Sequence, residues 1–215
     1  MSPRGVTTPD VRELLFNAAE RVLEREGPGA LTSRAITGEA GCAKGLLHAH
    51  FSGLDEFVAE LVLDRFARVA RHAEELRGRV GRGTVAKNLL GIALALLSSA
   101  GPTVAGLALA RPAASLRIRA ALEGGAPGFD TVQDAITDYL DAERQGGRIA
   151  ARADTASAAL ALVGTLHHLL MTGGHDRRNA QERAGQLVAL LEAALRRGPD
   201  DFTGEPARGT ATDTV

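Results

Sequence analysis

From residue 11 the apolar positions recur at steps of three and four. Val11, Leu14, Leu15, Ala18, Ala19, Val22 and Leu23 make one stripe, and Arg12, Glu13, Glu20, Arg21 and Glu24 lie off it, the pattern of an amphipathic helix. Thr8 can cap its free amides, and Pro9 stands where a missing N–H does no harm. Gly27, Pro28 and Gly29 end the helix. A second helix is predicted from Thr32, with Thr32 as its cap and Leu31 packing on Ile36. Gly41 stops it by accepting a left-handed conformation. A third short helix follows over about 43–51. There Ala43, Leu47 and Phe51 repeat every four residues and would pack on Val22 and Ile36, turning Lys44, Gly45, His48 and Ala49 outward or to the flank. A longer amphipathic helix then carries Phe57, Val58, Leu61, Phe66 and Val69 over about 54–76 and fades in the glycine-rich stretch 78–83.

Further helices are predicted over 84–99, 102–110, 113–122 and 131–144. The last two, over 155–172 and 179–197, are the most regular. Leu160, Val163, Leu166, Leu169 and Leu170 of the first should face Leu187, Val188, Leu190, Leu191 and Leu195 of the second. Beyond Gly198-Pro199 the polar tail is expected to be disordered. The longest apolar stretch, 89–109, is broken by Ser98, Ser99, Gly101 and Pro102, so it predicts two buried helices rather than a membrane span. The fold class expected is all-α, with three domains: a helix-turn-helix head over 1–53, a helical body over 54–198 and the tail over 199–215.

Composition supports this reading and narrows it. The chain has 215 residues, and its apolar content is supplied by Ala, Leu and Val, with six Phe, one Tyr and no Trp, which favours helix over sheet. Net charge is −1, so no global basic field drives nucleic-acid binding, and residues 1–52 hold six Lys/Arg against six Asp/Glu. Any contact with DNA has to come from local placement. The single cysteine, Cys42, lies in no metal-ligand pattern and suits a reducing interior. The polar opening does not read as a signal peptide, so the expected location is cytoplasmic.

Two short helices joined by a turn at Gly41 and braced by a longer one make the arrangement of a helix-turn-helix. Here the sequence resembles the N-terminal domain of the TetR family of bacterial repressors. The family pattern is Thr, an Ile-Ala pair, Ala-Gly-Val-Ser-x-Gly-x-Leu-Tyr-x-His-Phe, and a Lys with an apolar residue three on. It is matched at Thr32, Ile36, Ala40-Gly41, Gly45, Leu47 and His50-Phe51, closing on Phe57. Leu15-Phe16-Asn17-Ala18-Ala19 through Glu26-Gly27 also looks like the family's first helix, so the resemblance covers about residues 11–61. Five positions depart from the pattern. Cys42 stands for Val, and Thr37 stands for Ala and is expected near the surface. Ala43 stands for a capping Ser, Leu54 for a phosphate-facing Lys, and His48 for a Tyr whose hydroxyl reaches the backbone. These last three thin the set of phosphate contacts.

The resemblance implies a homodimer joined by the last two helices, binding a palindromic operator in double-stranded DNA and released by a small, largely apolar effector held in the body. Carried onto this chain, the DNA-contacting set is Thr32, Ala43, Lys44, Gly45, His48, Ala49 and His50, with Arg34 added from its charge and position. Phe66, Phe129 and Tyr139 are the aromatic residues of the middle helices that could border an effector, and Arg111, Arg117 and Arg119 could meet an acidic one or simply lie exposed. No cofactor, metal, catalytic site or membrane partner is expected. His167, His168, His175 and Asp176 lack the spacing of a zinc site, because adjacent histidines on a helix point about a hundred degrees apart. The alternatives are a TetR-like protein acting through protein partners without specific DNA binding, and a small all-α enzyme built on those histidines.

Overall fold

The computed structural model describes residues 8–97, 106–107, 110–172 and 176–197, with the side chains of 8–10, 177 and 197 left aside. His175, most of the helix expected over 102–110 and the tail from 199 lie outside these residues. The described residues are almost entirely helical and contain no strand. The helices are α1 (Thr8–Glu26), α2 (Ser33–Glu39), α3 (Leu46–His50), α4 (Leu54–Glu74), α5 (Val85–Leu96), α6 (Pro112–Glu123), α7 (Phe129–Gln145), α8 (Thr155–Thr172) and α9 (Arg177–Arg197). Short 3-10 turns at Pro28–Ala30 and Glu75–Arg79 follow α1 and α4. The helix expected from 131 begins two residues earlier, at Phe129, and α9 begins two residues before its expected start.

Burial divides the molecule into two cores along α4. The first gathers Leu15, Phe16, Ala19, Val22 and Leu23 of α1, Ile36 of α2, Leu47 of α3, Phe51, and Phe57, Val58 and Leu61 of α4. Phe16, Phe51 and Phe57 are mutually packed, with ring centroids 5.0 to 5.9 Å apart, the tilted and edge-on arrangements that aromatic quadrupoles favour. Leu107 and Ala114, from much later in the chain, are fully part of this first core, and Ile118 packs against it. The second core takes the other half of α4 from Ala70 on, together with α5, α7, α8 and α9. Here α7 packs on α4 and α8, while α9 packs on α5 and α8.

A polar knot sits inside the second core. Asn88 Nδ2 of α5 donates to Tyr139 Oη of α7 at 2.9 Å and to the Arg82 carbonyl at 3.0 Å. Glu143, one turn along α7 and wholly buried, accepts from the Gly81 amide at 3.2 Å and the Arg148 guanidinium at 3.3 Å. Arg148 also donates to the Gly83 carbonyl. The turn 80–83 is thereby pinned to the end of α7, and a buried carboxylate without such partners would be strongly unfavourable. Burial, with Glu143 beside it, pushes the Tyr139 hydroxyl up to about 12.

Two expectations about side-chain placement are corrected. Thr37 is buried rather than near the surface: its hydroxyl donates to the Ser33 carbonyl at 2.9 Å, one turn back. That internal bond satisfies the one polar atom and lets the residue face the core. Leu160 and Leu190, expected to face each other between α8 and α9, are instead 58% and 67% exposed. In the shared core, α8 buries Leu162, Val163, Leu166, Leu169 and Leu170, and α9 buries Ala180, Ala184, Val188 and Leu195. α8 is long and apolar enough to cross a membrane by length and composition, but 44% of it is buried inside this fold. It serves as a packed core helix.

Candidate nucleic-acid interface

Helix α2 begins where Thr32, in extended conformation, accepts a hydrogen bond from the Ala35 amide through Oγ1 at 3.1 Å. It ends at Gly41, whose φ of +64° is disfavoured for residues carrying a Cβ. The chain then turns through Cys42 to Gly45 and enters α3 only at Leu46. The third helix is thus about three residues shorter at its start than its hydrophobic spacing suggests. Ala43, expected to pack inward as one of three residues at four-residue intervals, is exposed, because it precedes the helix and does not share its face. Cys42 packs against the core in its place, and burial raises its thiol above the usual range, so it stays protonated.

Leu47 and Phe51 bury the inner face of α3 completely, and Ile36 does the same for α2. Thr32, Arg34, Ala43, Lys44, Gly45, His48 and Ala49 are all exposed, and His50 is half-buried. Gly45 has ordinary helical dihedrals, and a Cβ built there would meet nothing within 4 Å. Nothing inside the chain requires glycine at that position.

Charge on this head is sorted by pairing. Arg21 Nε donates to Glu39 Oε1 at 2.7 Å, and Arg25 reaches Glu39 Oε2 at 3.0 Å and Glu26 at 2.9 Å. These two guanidinium groups, Arg21 first, hold the Glu39 carboxyl below the usual carboxylate range. Arg12 pairs with Glu60 of α4, and its guanidinium also lies 4.6 Å from the Phe51 ring centroid. Among the described residues of the head, Arg34 and Lys44 are the cations in no ion pair, and both are exposed. A shallow open hollow of about 520 Å³ lies between Thr32, Arg34, Arg25 and Glu39.

Helix α4 opens differently from the family pattern. Ser52 donates through its amide to Glu56 Oε2 at 2.8 Å, and its hydroxyl contacts the same oxygen. These bonds hold the Glu56 carboxyl low. Asp55 accepts from Arg111 Nε at 2.6 Å. Acidic residues in a first helical turn suit the helix dipole, but they place negative charge where the family's lysine would meet a phosphate. The Arg111–Asp55 pair, made across 56 residues, was not visible in the sequence, where Arg111 reads as a surface cation before Pro112.

The remaining candidates lie apart from this surface. Phe66, Phe129 and His167 form a chain of edge-on rings with centroids 4.8 and 4.9 Å apart, joining α4, α7 and α8. Tyr139 belongs to the buried polar knot. Arg117 and Arg119 are exposed, and His167 and His168 are exposed on α8. Among the described residues no group of three or more His, Cys, Asp or Glu could hold a metal ion.

Residues 15–61 match the family model for bacterial regulatory proteins of the tetR family. No curated protein matches the sequence. Among solved structures, the chain is similar to a putative TetR-family transcriptional regulator from Mesorhizobium loti MAFF303099, at 16% identity and a TM-score of 0.63, covering 88% of this chain and 98% of that one. It is also similar to a putative transcriptional regulator from Pseudomonas aeruginosa PAO1, at 26% identity and a TM-score of 0.52, covering 90% and 96%. The regulator FadR from Bacillus subtilis, solved in complex with stearoyl-CoA, aligns at 17% identity and a TM-score of 0.57, covering 87% and 98%. The head thus matches the tetR-family model of bacterial regulatory proteins over residues 15–61, and the chain as a whole shares its helical fold with these solved regulators.

Proposed function

We propose that the protein is a repressor that binds a palindromic operator as a homodimer, and that an effector held in the helical body releases it. The observation that carries this reading is the sorting of the head: Leu47, Phe51 and Ile36 are buried, while Arg34 and Lys44, without ion-pair partners, are exposed, as are Thr32, Gly45, His48 and Ala49. In a head with no net excess of cations, two free ones, both exposed, supply the positive potential that a groove would meet. The bare backbone at Gly45 suits close approach of a phosphate or groove wall. Thr32 keeps its cap bond while its exposed side remains available to a phosphate.

For the homodimer, support comes from the outer face of α8 and α9. Leu160, Ala161, Gly164, His168 and Met171 recur at helical spacing and are exposed, and Leu190 stands exposed on α9. An apolar stripe of this kind is costly to leave in water. For the effector, the body has the fold of a regulator solved with stearoyl-CoA, and an apolar ligand would suit its aliphatic interior. Selection of bound duplexes from random DNA, with a salt titration of the winners, tests the reading. A palindromic consensus, bound with an affinity that falls steeply with salt, is expected. Failure to retain any duplex at low salt would overturn it and leave a regulator acting through protein partners.

A further inference from the structure

The head does not complete its own core. Ala114 is fully buried and Leu107 nearly so, both inside the cluster formed by α1 to α3 and the first half of α4, and Ile118 packs against them. These residues belong to the segment that ends in α6, which packs along α4. The middle of α4, residues 60–68, is meanwhile bound to α1 by charge. Arg65 donates to Glu20 at 2.5 Å and to Asn17 at 3.2 Å, Arg68 reaches Glu13 at 3.2 Å, and Arg12 pairs with Glu60. Helices α1 to α3 and α4 up to Val62 therefore share one core, and α6 comes from the body to pack against it.

A hydrogen-bonded ion pair joins α6 to the leading turn of α4, where the Arg117 charge of α6 also acts on Glu56. Arg111 stands at the N-cap position of α6 in extended conformation, immediately before Pro112, and its Nε donates to Asp55 Oδ1 at 2.6 Å. A capping position is ordinarily filled by Ser, Thr, Asp or Asn. Here it holds a residue that does not cap its own helix and reaches across to α4 instead. Ala114, three residues on, has only a methyl group, which allows α6 to lie close against α4. The apolar contact sets the distance between the helices, and the ion pair sets the register of α6 along the first turn of α4.

We infer that Arg111 is a positioning residue for DNA binding: through Asp55 it holds the start of α4, and with it the recognition surface, in the orientation that fits an operator. The inference rests on the operator-binding reading, and it adds a consequence for each partner of the pair. Removing Asp55 takes a negative charge away from the phosphate side of the head, which by charge alone would tighten every DNA complex. If Asp55 serves the latch, removing it weakens operator binding nevertheless.

The test compares wild type with Arg111→Ala, Arg111→Lys, Asp55→Asn and the double variant Arg111→Ala/Asp55→Asn, using the selected operator and a scrambled duplex. Arg111→Ala and Asp55→Asn should each weaken operator binding about three- to tenfold, the scale of a well-placed, partly exposed pair, with no loss on the scrambled duplex. The double variant should be no worse than the singles, and Arg111→Lys should recover part of the loss. Amide hydrogen exchange over residues 54–62, measured without DNA, should quicken in both single variants. If Asp55→Asn tightens operator binding, or if exchange over 54–62 is unchanged in Arg111→Ala, the inference is wrong. Because exchange needs no DNA, a wild-type protein that bound no duplex would overturn the proposed function while leaving the latch open to its own measurement.

Discussion

At the scale of single residues, the head shows how a chain of net charge −1 can present a positive surface. The described cations away from that surface are spent on carboxylates, and Arg34 and Lys44 are left over. Lys44→Ala should therefore nearly abolish operator binding. In a dimer it removes two phosphate contacts, and the slope of log affinity against log salt should fall by about two. Retained affinity would mean that α3 does not face the groove. Glu39 makes the opposite case, since its carboxylate holds Arg21 and Arg25 together at the edge of the same surface. Glu39→Gln should free the Arg21 guanidinium and leave Arg25 on Glu26 alone, raising affinity for scrambled duplex and steepening its salt dependence. An unchanged slope would place Arg21 and Arg25 out of reach of the backbone. The carboxyl is held low, so the stability its pairing gives is full above the ordinary carboxylate range and is lost only as pH falls below that range, through the lowered folded value.

At the scale of elements, helix existence was legible and helix beginnings were less so. The three- and four-residue spacing located α1, α4 and α8 because each buries one long stripe, and Thr32 and Gly41 marked α2 because capping and a left-handed turn leave their signatures in residue type. The start of α3 was misread: a run of Ala43, Leu47 and Phe51 fits a helix face, but the turn after Gly41 consumes the first of them. The residues expected to meet DNA are nonetheless exposed apart from His50, because an exposed turn residue and an exposed helical residue are both open to solvent. Pairings between distant elements had no local sign. Neither Asp55 with Arg111 nor Asn88 with Tyr139 and Glu143 could be read from spacing, because long-range polar partners depend on how the helices assemble. The Tyr139 knot gives this level its own prediction. Its hydroxyl is raised to about 12 by burial and by Glu143, so the folded state holds that proton more tightly than the unfolded chain does. The resulting stability is present below the ordinary tyrosine range, near 10, and is lost as pH rises toward 12. Tyr139 is the only tyrosine and there is no tryptophan, so phenolate absorbance reports this group alone. Its titration should coincide with alkaline unfolding, and Tyr139→Phe should lower Tm at neutral pH by the loss of about 1 kcal/mol while removing that tyrosine-linked alkaline loss. A titration near 10 in the folded protein would contradict the knot.

At the scale of the whole molecule, the two cores along α4 make the head and the body separately packed but mechanically joined, and the dimer is what would turn one weak recognition surface into a specific reader of DNA. With Ala43 and Leu54 where relatives carry polar groups, a single head has few contacts, and two heads on one operator multiply the affinity without adding any contact. In the proposed dimer the exposed faces of α8 and α9 would supply the means: Leu160 and Leu190 are more than half exposed, so replacing them costs the isolated subunit little, whereas burying a glutamate in a subunit contact would cost several kcal/mol. The double variant Leu160→Glu/Leu190→Glu should keep the helical content and Tm of a folded subunit, sediment as a monomer, and bind the full palindrome about a hundredfold more weakly than wild type. Its affinity for a single half-site should match that of wild type, because the recognition surface itself is untouched. That half-site comparison separates loss of avidity from damage to the head. If the variant remained dimeric with full affinity, the subunits would have to meet elsewhere, and the outer face of α8 would need another partner.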